Sequence, residues 1–365
     1  MFKKPIPGKL NGSLKVLALI GLVYIFLLSI TLIGSSFKMM GKETAESIMH
    51  LVSNPVMGLV AGIFTTSLVQ SSSLTTSLVV SMVACNVLTI DLAIPIIMGA
   101  NIGTSITNLI VSIGHIRKSE EFERALGASI VHDFFNVLSV AVIFPLQLMF
   151  NVIGISARAA SGLFVNIGGL KFINPLNTIL KPVANTILGF FPNHPWIGII
   201  IAFVLLFLAL HYLVVVMKSL VLEKIERFFD QYIFKTAFRA LLLGMLFTAL
   251  VQSSSITTSL VVPLAAAGVL SLKKIFPYDL GANVGTTITA FLASLATSNA
   301  DAVTIAFSHF LFNVLGILIW LPLKSVPITM ATVFARWSVR HRWIPIAYIL
   351  FVFFLIPLLL ILLMR

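Results

Sequence analysis

The stretch LVQSSSLTTSLVV at 68–80 returns as LVQSSSITTSLVV at 250–262, and the architecture follows from how this duplication is read. The offset, 252 − 70 = 182, also carries Pro95 onto Pro277, Gly99-Ala100-Asn101 onto Gly281-Ala282-Asn283, and Gly103-Thr104 onto Gly285-Thr286. Inside the block apolar residues drift, Met82 to Leu264 and Val83 to Ala265, while hydroxyl and amide residues stay fixed. Identical polar residues within drifting apolar ones point to a site.

Working outward, apolar runs long enough to span a bilayer, which takes about 20 residues, occupy 16–33, 94–113, 125–150, 196–217, 275–295, 302–321 and 343–363. The chain is 59% hydrophobic and 10% charged, with a mean hydropathy of +1.08. That composition excludes a soluble globular chain and predicts an all-α polytopic membrane protein. The run at 16–33 follows a lysine-rich start that resembles a signal peptide, but its length and the lack of a small-residue cleavage site predict a retained first span. The segments 56–69 and 73–88 are each too short to span comfortably, and polar residues separate them. With its counterpart at 240–270, this predicts two re-entrant helical hairpins with Gln-Ser-Ser-Ser at the tips, tolerated at membrane depth where buried in protein or lining a cavity.

Orientation follows from basic residues in short connections. Lys3, Lys4, Lys9 and Lys15 place the N-terminus in the cytoplasm, and Arg117, Lys118 and Arg124, then Lys218, Lys224, Arg227, Lys235 and Arg239, then Arg336, Arg340 and Arg342 mark later inside connections. Seven crossings put the C-terminus outside. Three spans separate the hairpins, so they enter from opposite faces and the repeats are inverted. The resulting plan is an N-terminal repeat at 1–150, an external connector at 151–195, a C-terminal repeat at 196–323, and a cytoplasmic basic loop with a final span at 324–365. Amphipathic stretches at 38–50 and 218–231 are expected to lie at the interface.

The net charge of +12 argues for orientation and anionic lipid at the cytoplasmic face, not nucleic acid, because the basic residues nowhere form a stripe with interleaved aromatics. One cysteine, Cys85, sits in an apolar run and can form no intrachain disulfide. No cofactor is implied. The serines lie in no GxSxG setting, the histidines lack metal-ligand spacing, and no Gly-rich loop with lysine is present, so an enzyme is not expected.

Inverted repeats whose discontinuous helices meet near the midplane build many secondary-transporter sites. Candidate breaks are the two QSSS tips and the two Gly-Ala-Asn-x-Gly-Thr stretches, where paired glycines weaken a helix. The candidate substrate and sodium ligands are Gln70, Ser71, Ser72, Ser73, Thr75, Thr76, Asn101 and Thr104, with Gln252, Ser253, Ser254, Ser255, Thr257, Thr258, Asn283 and Thr286. Their hydroxyls can donate to an anion or ligate a hard cation, and freed amides at half-helix N-termini add positive dipole ends. Small residues also serve close helix packing, but packing does not demand the repeated glutamine. Neither motif holds Lys or Arg, so a bound anion would lack a protein counter-charge and bound cations would supply it. Beyond the motifs, His132 and Asn136, and His309 and Asn313, sit at i and i+4 inside spans. Asp133, whose counterpart is Phe310, would suit a further sodium site with Ser129, or a hydrogen-bonded structural role.

At these residues the chain resembles the type II sodium-phosphate cotransporter family over 56–151 and 240–323. The resemblance rests on the paired QSSS, on GANIGTSITN around Asn101, RALGASIVHDFFNVLSV from Arg124, GANVGTTITAFLASLA from Gly281 and HFLFNVLGILIW from His309. It implies sodium-coupled uptake of inorganic phosphate, bound between the hairpin tips. Asp133 matches the aspartate that marks electrogenic members of that family. Gly127 and Ser129 stand where electrogenic animal members have alanines, and the single cysteine cannot make the animal disulfide. The expectation is therefore a compact prokaryotic inner-membrane protein. Open beside it are another anion such as sulfate or a carboxylate, proton coupling through His132 and Asp133, and an ion channel or membrane scaffold whose QSSS segments only pack helices.

Overall fold

Short polar interruptions in an apolar chain leave helix as the only local solution, since backbone groups in hydrocarbon must be satisfied within a segment. The computed structural model describes residues 12–41, 54–166, 174–225, 234 and 236–364, and among these there is no strand. The helices are α1 Gly12–Met40, α2 Pro55–Val69, α3 Ser72–Ala84, α4 Ile90–Thr104, α5 Ile106–Ile113, α6 Ser119–Phe150, α7 Val152–Asn166, α8 Asn174–Gly189 and α9 Pro195–Ile225. There follow α10 Ala237–Val251, α11 Ser254–Ser259, α12 Val261–Ala266, α13 Leu272–Thr297, α14 Ala300–Trp320, α15 Ser325–Arg340, α16 Ile344–Leu350 and α17 Ile356–Leu363, the last two joined by a π-helical turn at Phe351–Leu355. Seven stretches are long and apolar enough to cross a membrane, with α4 and α5 counted together and the segment from α16 to α17 counted as one. The stretches 42–50 and 226–231 of the predicted interfacial segments lie outside the described residues.

Each QSSS segment is a helix–turn–helix, α2 with α3 and α10 with α11–α12. Each first arm lies along a long helix that follows it, α2 on α4 and α10 on α13. Glycines set the spacing. A Cβ on Gly62, Gly99, Gly244 or Gly281 would collide with a backbone carbonyl across the contact, at Ile96, Leu59, Tyr278 and Leu241 in turn. One on Gly103 would lie 2.7 Å from Thr66 Cβ, and one on Gly285 would lie 2.7 Å from Thr248 Cβ. These contacts match residue for residue at the offset of 182.

This corrects the expectation that Gly-Ala-Asn-x-Gly-Thr breaks a helix. In the second copy α13 runs unbroken through residues 281–286, and in the first the interruption falls at Ser105, just beyond Thr104. The glycines admit a neighbouring backbone, and the hydrogen-bond ladder survives because the crossing helix packs against it. A break does occur in the second hairpin, at Leu260 between α11 and α12. Pro263 explains it, since its ring displaces the carbonyl of Ser259 and it has no N–H to donate.

The expected basic loop after residue 323 is largely helical as well. α15 buries Pro327, Ala331, Ala335 and Ser338 and packs on α6, while Arg336 reaches Glu123 at 3.4 Å. The basic residues on its exposed side hid the small-residue stripe beneath. α7 and α8 occupy much of the predicted connector, and the apolar core runs through α1, α3, α4, α6, α13 and α14.

Candidate functional site

Gln70 and Gln252 make the two turns. Both adopt left-handed backbone, φ 55° and φ 59°, and each donates its N–H to the carbonyl four residues back, Thr66 and Thr248, at 2.7 Å. Non-glycine residues rarely take this conformation, so its recurrence at both tips marks stored local strain. The next residue caps the second arm: Ser71 Oγ accepts from the Leu74 amide at 3.3 Å and Ser253 Oγ from the Ile256 amide at 3.4 Å. Thr75 and Thr257 then donate back to the carbonyls of Ser71 and Ser253.

The tips touch. Ser73 Oγ donates to the Gln252 carbonyl at 3.2 Å and lies 3.4 Å from Thr289 Oγ1, which donates to Gln252 Oε1 at 2.7 Å. The Gln252 amide nitrogen turns back to the Ala249 carbonyl. Beside this seam is a cavity of about 220 Å³ whose polar lining includes Gln70, Ser71, Thr107, Gln252, Ser253 and Ser255, closed on one side by Phe207, Leu210 and His211 of α9. No lysine or arginine lines it. Asn108 ties α5 to the second hairpin, pairing with Thr258 Oγ1 at 2.7 Å and accepting from Ser259 Oγ at 2.8 Å.

A second polar cluster joins the halves a little away. His132 Nε2 lies 2.7 Å from Asn283 Oδ1, and the Asn283 amide donates to Asn136 Oδ1 at 2.8 Å. Asn136 in turn donates to the Asn101 carbonyl at 3.0 Å and to Ser105 Oγ at 3.2 Å, and Ser105 Oγ is 3.4 Å from His132 Nδ1. In the neutral ring these contacts are met with Nε2 donating to Asn283 and Nδ1 accepting from Ser105. Next to it, Asp133 Oδ2 accepts from Tyr348 on α16, while Oδ1 has no partner among the described residues.

A family model described as Na+/Pi-cotransporter matches residues 25–190 and 205–358. The chain belongs to the Na+/Pi-cotransporter family. Sodium-dependent phosphate transport protein 2A of Ovis aries is 32% identical to it over 97% of this chain and 70% of that protein. Sodium-dependent phosphate transport protein 2B of Homo sapiens is 32% identical over 95% of this chain and 65% of that protein, and the 2A protein of Rattus norvegicus is 32% identical over 94% and 67%. No solved structure matches the chain significantly.

In this member of the Na+/Pi-cotransporter family, the expected ligands divide into three groups. Gln70, Ser71, Gln252, Ser253 and Ser255 line the cavity, and Ser73 bridges the tips, while Ser72 and Ser254 are buried in the first turns of the second arms. Thr76, Thr104, Thr286 and Ser129 donate to carbonyls of their own helices, Ser73, Ala100, Ala282 and Ala125 in turn, and Asn101 donates to the carbonyl of Ile97. Asn283 is spent on His132 and Asn136. Sequence reasoning missed Thr289, Asn108, Tyr348 and Asp279. A lone acid within the span 275–295 was a readable signal for Asp279, whereas Thr289 and Tyr348 gain their roles only by tertiary contact. Among the described residues no group of three or more His, Cys, Asp and Glu could hold a metal ion.

Proposed function

We propose that the protein is a sodium-coupled secondary active transporter that imports inorganic phosphate by alternating access. The observation that carries this reading is the cavity at the joined QSSS tips, which has hydroxyl and amide lining, one histidine, His211, at its wall, and no lysine or arginine. A dianion placed there needs a counter-charge in low dielectric, and sodium ions held by tip carbonyls and hydroxyls supply it. Co-entry of anion and cation then becomes the physical condition for occupancy. The N-terminus of α3 adds a positive dipole end to the same place. The sodium-dependent phosphate transport proteins among the relatives support both sodium dependence and phosphate as substrate.

The two halves are read as inverted repeats with re-entrant hairpins, the N-terminus cytoplasmic, the C-terminus external, and anionic lipid against the basic cytoplasmic connections of a bacterial inner membrane. Asp133 is the candidate for an additional sodium and hence for electrogenic transport. The test is radiolabelled phosphate uptake into proteoliposomes with and without an inward sodium gradient. Sodium-stimulated uptake that is abolished in Gln70→Ala and Gln252→Ala, with both variants folded, is the expected result. Uptake unaffected by sodium, or driven by sulfate in preference, overturns it, and loss of folding in both variants favours the packing role.

A further inference from the structure

Asp279 stands on the face of α13 that meets α6, the contact between the second half and the first. Leu272 packs at Gly127, where an added Cβ would lie 3.4 Å from Leu272 Cδ1. The ring of Phe276 meets that of Phe135 edge-on with centroids 6.2 Å apart, and Asn283 bonds His132 and Asn136. Asp279 lies three residues after Phe276 and four before Asn283, which places it on the same helical stripe. It is 1% exposed, and neither carboxylate oxygen has a hydrogen-bond partner among the described residues. The repeat did not require an acid there, because the matching residue, 279 − 182 = 97, is the buried Ile97.

An ionised carboxylate with no partner in so dry a setting must be neutralised, by a proton or by a cation with its own oxygen shell. Two polar side chains of the α13–α6 contact are committed. Asn283 serves His132 and Asn136, and Ser129 donates to the Ala125 carbonyl at 3.0 Å. A proton needs no shell.

Among the described residues, the ionisable groups on the helices packed against α13 leave Asp279 without an ion-pair partner. On α6, His132 is spent on Asn283 and Asp133 on Tyr348, and Glu120, Glu121, Glu123 and Arg124 sit at its start. Those on α10, α14 and α15 are Arg239, then Asp301 and His309, then Arg336 and Arg340; α1 has Lys15, Tyr24 and Lys38, and α8 has Lys181. The hairpin arms α3 and α11 have none. On α13 itself, Tyr278 sends its hydroxyl to the Thr257 carbonyl, and Lys273 and Lys274 stand at the start.

We propose that Asp279 is a proton-binding site on the contact between the two halves, occupied in the arrangement seen here and vacated when α13 and α6 part. The release step rests on the alternating-access reading above, while the bound proton does not.

Two measurements on the full chain test it. Infrared spectra of the purified protein should show a protonated-carboxyl C=O band at neutral pH that is missing from Asp279→Asn and from Asp279→Ile, the second variant restoring the residue of the first repeat. The band should persist when sodium chloride is added at fixed pH. Sodium-driven phosphate uptake is then compared between variant and wild type across pH, because the changing ionisation of phosphate affects both alike. Both variants mimic the protonated acid, so the ratio of variant to wild-type rate should be near one at acid pH and fall about three-fold or more on the alkaline side. A carboxyl band that loses no intensity on either substitution, an Asp279 component removed by sodium, or a ratio flat across pH overturns the proposal. If the wild type takes up no phosphate, the transport reading fails and the infrared band alone still decides the proton.

Discussion

Gln252 meets two demands at once, a left-handed turn and a side chain held by Thr289. Substitution separates them. Gln252→Gly keeps the turn and relieves the strain of a non-glycine residue there, so thermal stability in detergent should hold or rise by up to about 1 kcal/mol, while phosphate uptake is lost. Uptake retained in the glycine variant would show that the side chain matters only to the bend. At Asp133, Tyr348→Phe removes the hydroxyl that donates to Oδ2 of a buried carboxylate. The expected cost is about 1–3 kcal/mol in unfolding measurements, together with a higher sodium concentration for half-maximal uptake. Unchanged sodium dependence with lowered stability would leave Asp133 a structural group.

At the scale of elements, the hairpins depend on glycine contacts with the long helices beside them. Gly281→Ala drives a methyl into the Leu241 carbonyl, and the expected destabilisation is about 1–3 kcal/mol or a failure to accumulate. Gly34→Ala is the matched control: nothing lies within 4 Å of the added carbon, and stability should not fall. Melting of both proteins in detergent checks the pair. The same contacts show what local sequence can express. The Gln-Ser turns were legible, because a polar run between two short apolar segments has few solutions in a membrane. The glycines of Gly-Ala-Asn-x-Gly-Thr look like helix breakers in the local sequence, because their reason is a second backbone far upstream, at Leu59 for Gly99 and at Leu241 for Gly281. The break at Leu260 is announced by Pro263 alone. Helix α15 was hidden by its arginines, which occupy the outer side of a stripe of small residues.

Across the whole molecule the two halves match in sequence and differ in bonding. His132 and Asn136 are satisfied by Asn283, whereas both ring nitrogens of His309 and the Asn313 carbonyl oxygen are buried without partners among the described residues. Asn283→Ala strands two buried groups, and Asn101→Ala strands fewer, since Asn101 bonds only its own helix through its side chain. Thermal stability should therefore fall more for Asn283→Ala, by about 1–3 kcal/mol relative to Asn101→Ala; equal losses would mean the cluster contributes nothing specific. The glycine contacts carry a further consequence for motion. Carbonyls seated against glycine act as teeth, so neither first arm can slide along its long helix without unmeshing several at once. Each first arm is thereby geared to its own long helix. Where the hairpin tips meet, by contrast, the contact is made by hydroxyls, Ser73 Oγ and Thr289 Oγ1 each reaching an oxygen of Gln252, and such bonds exchange partners without unmeshing a backbone.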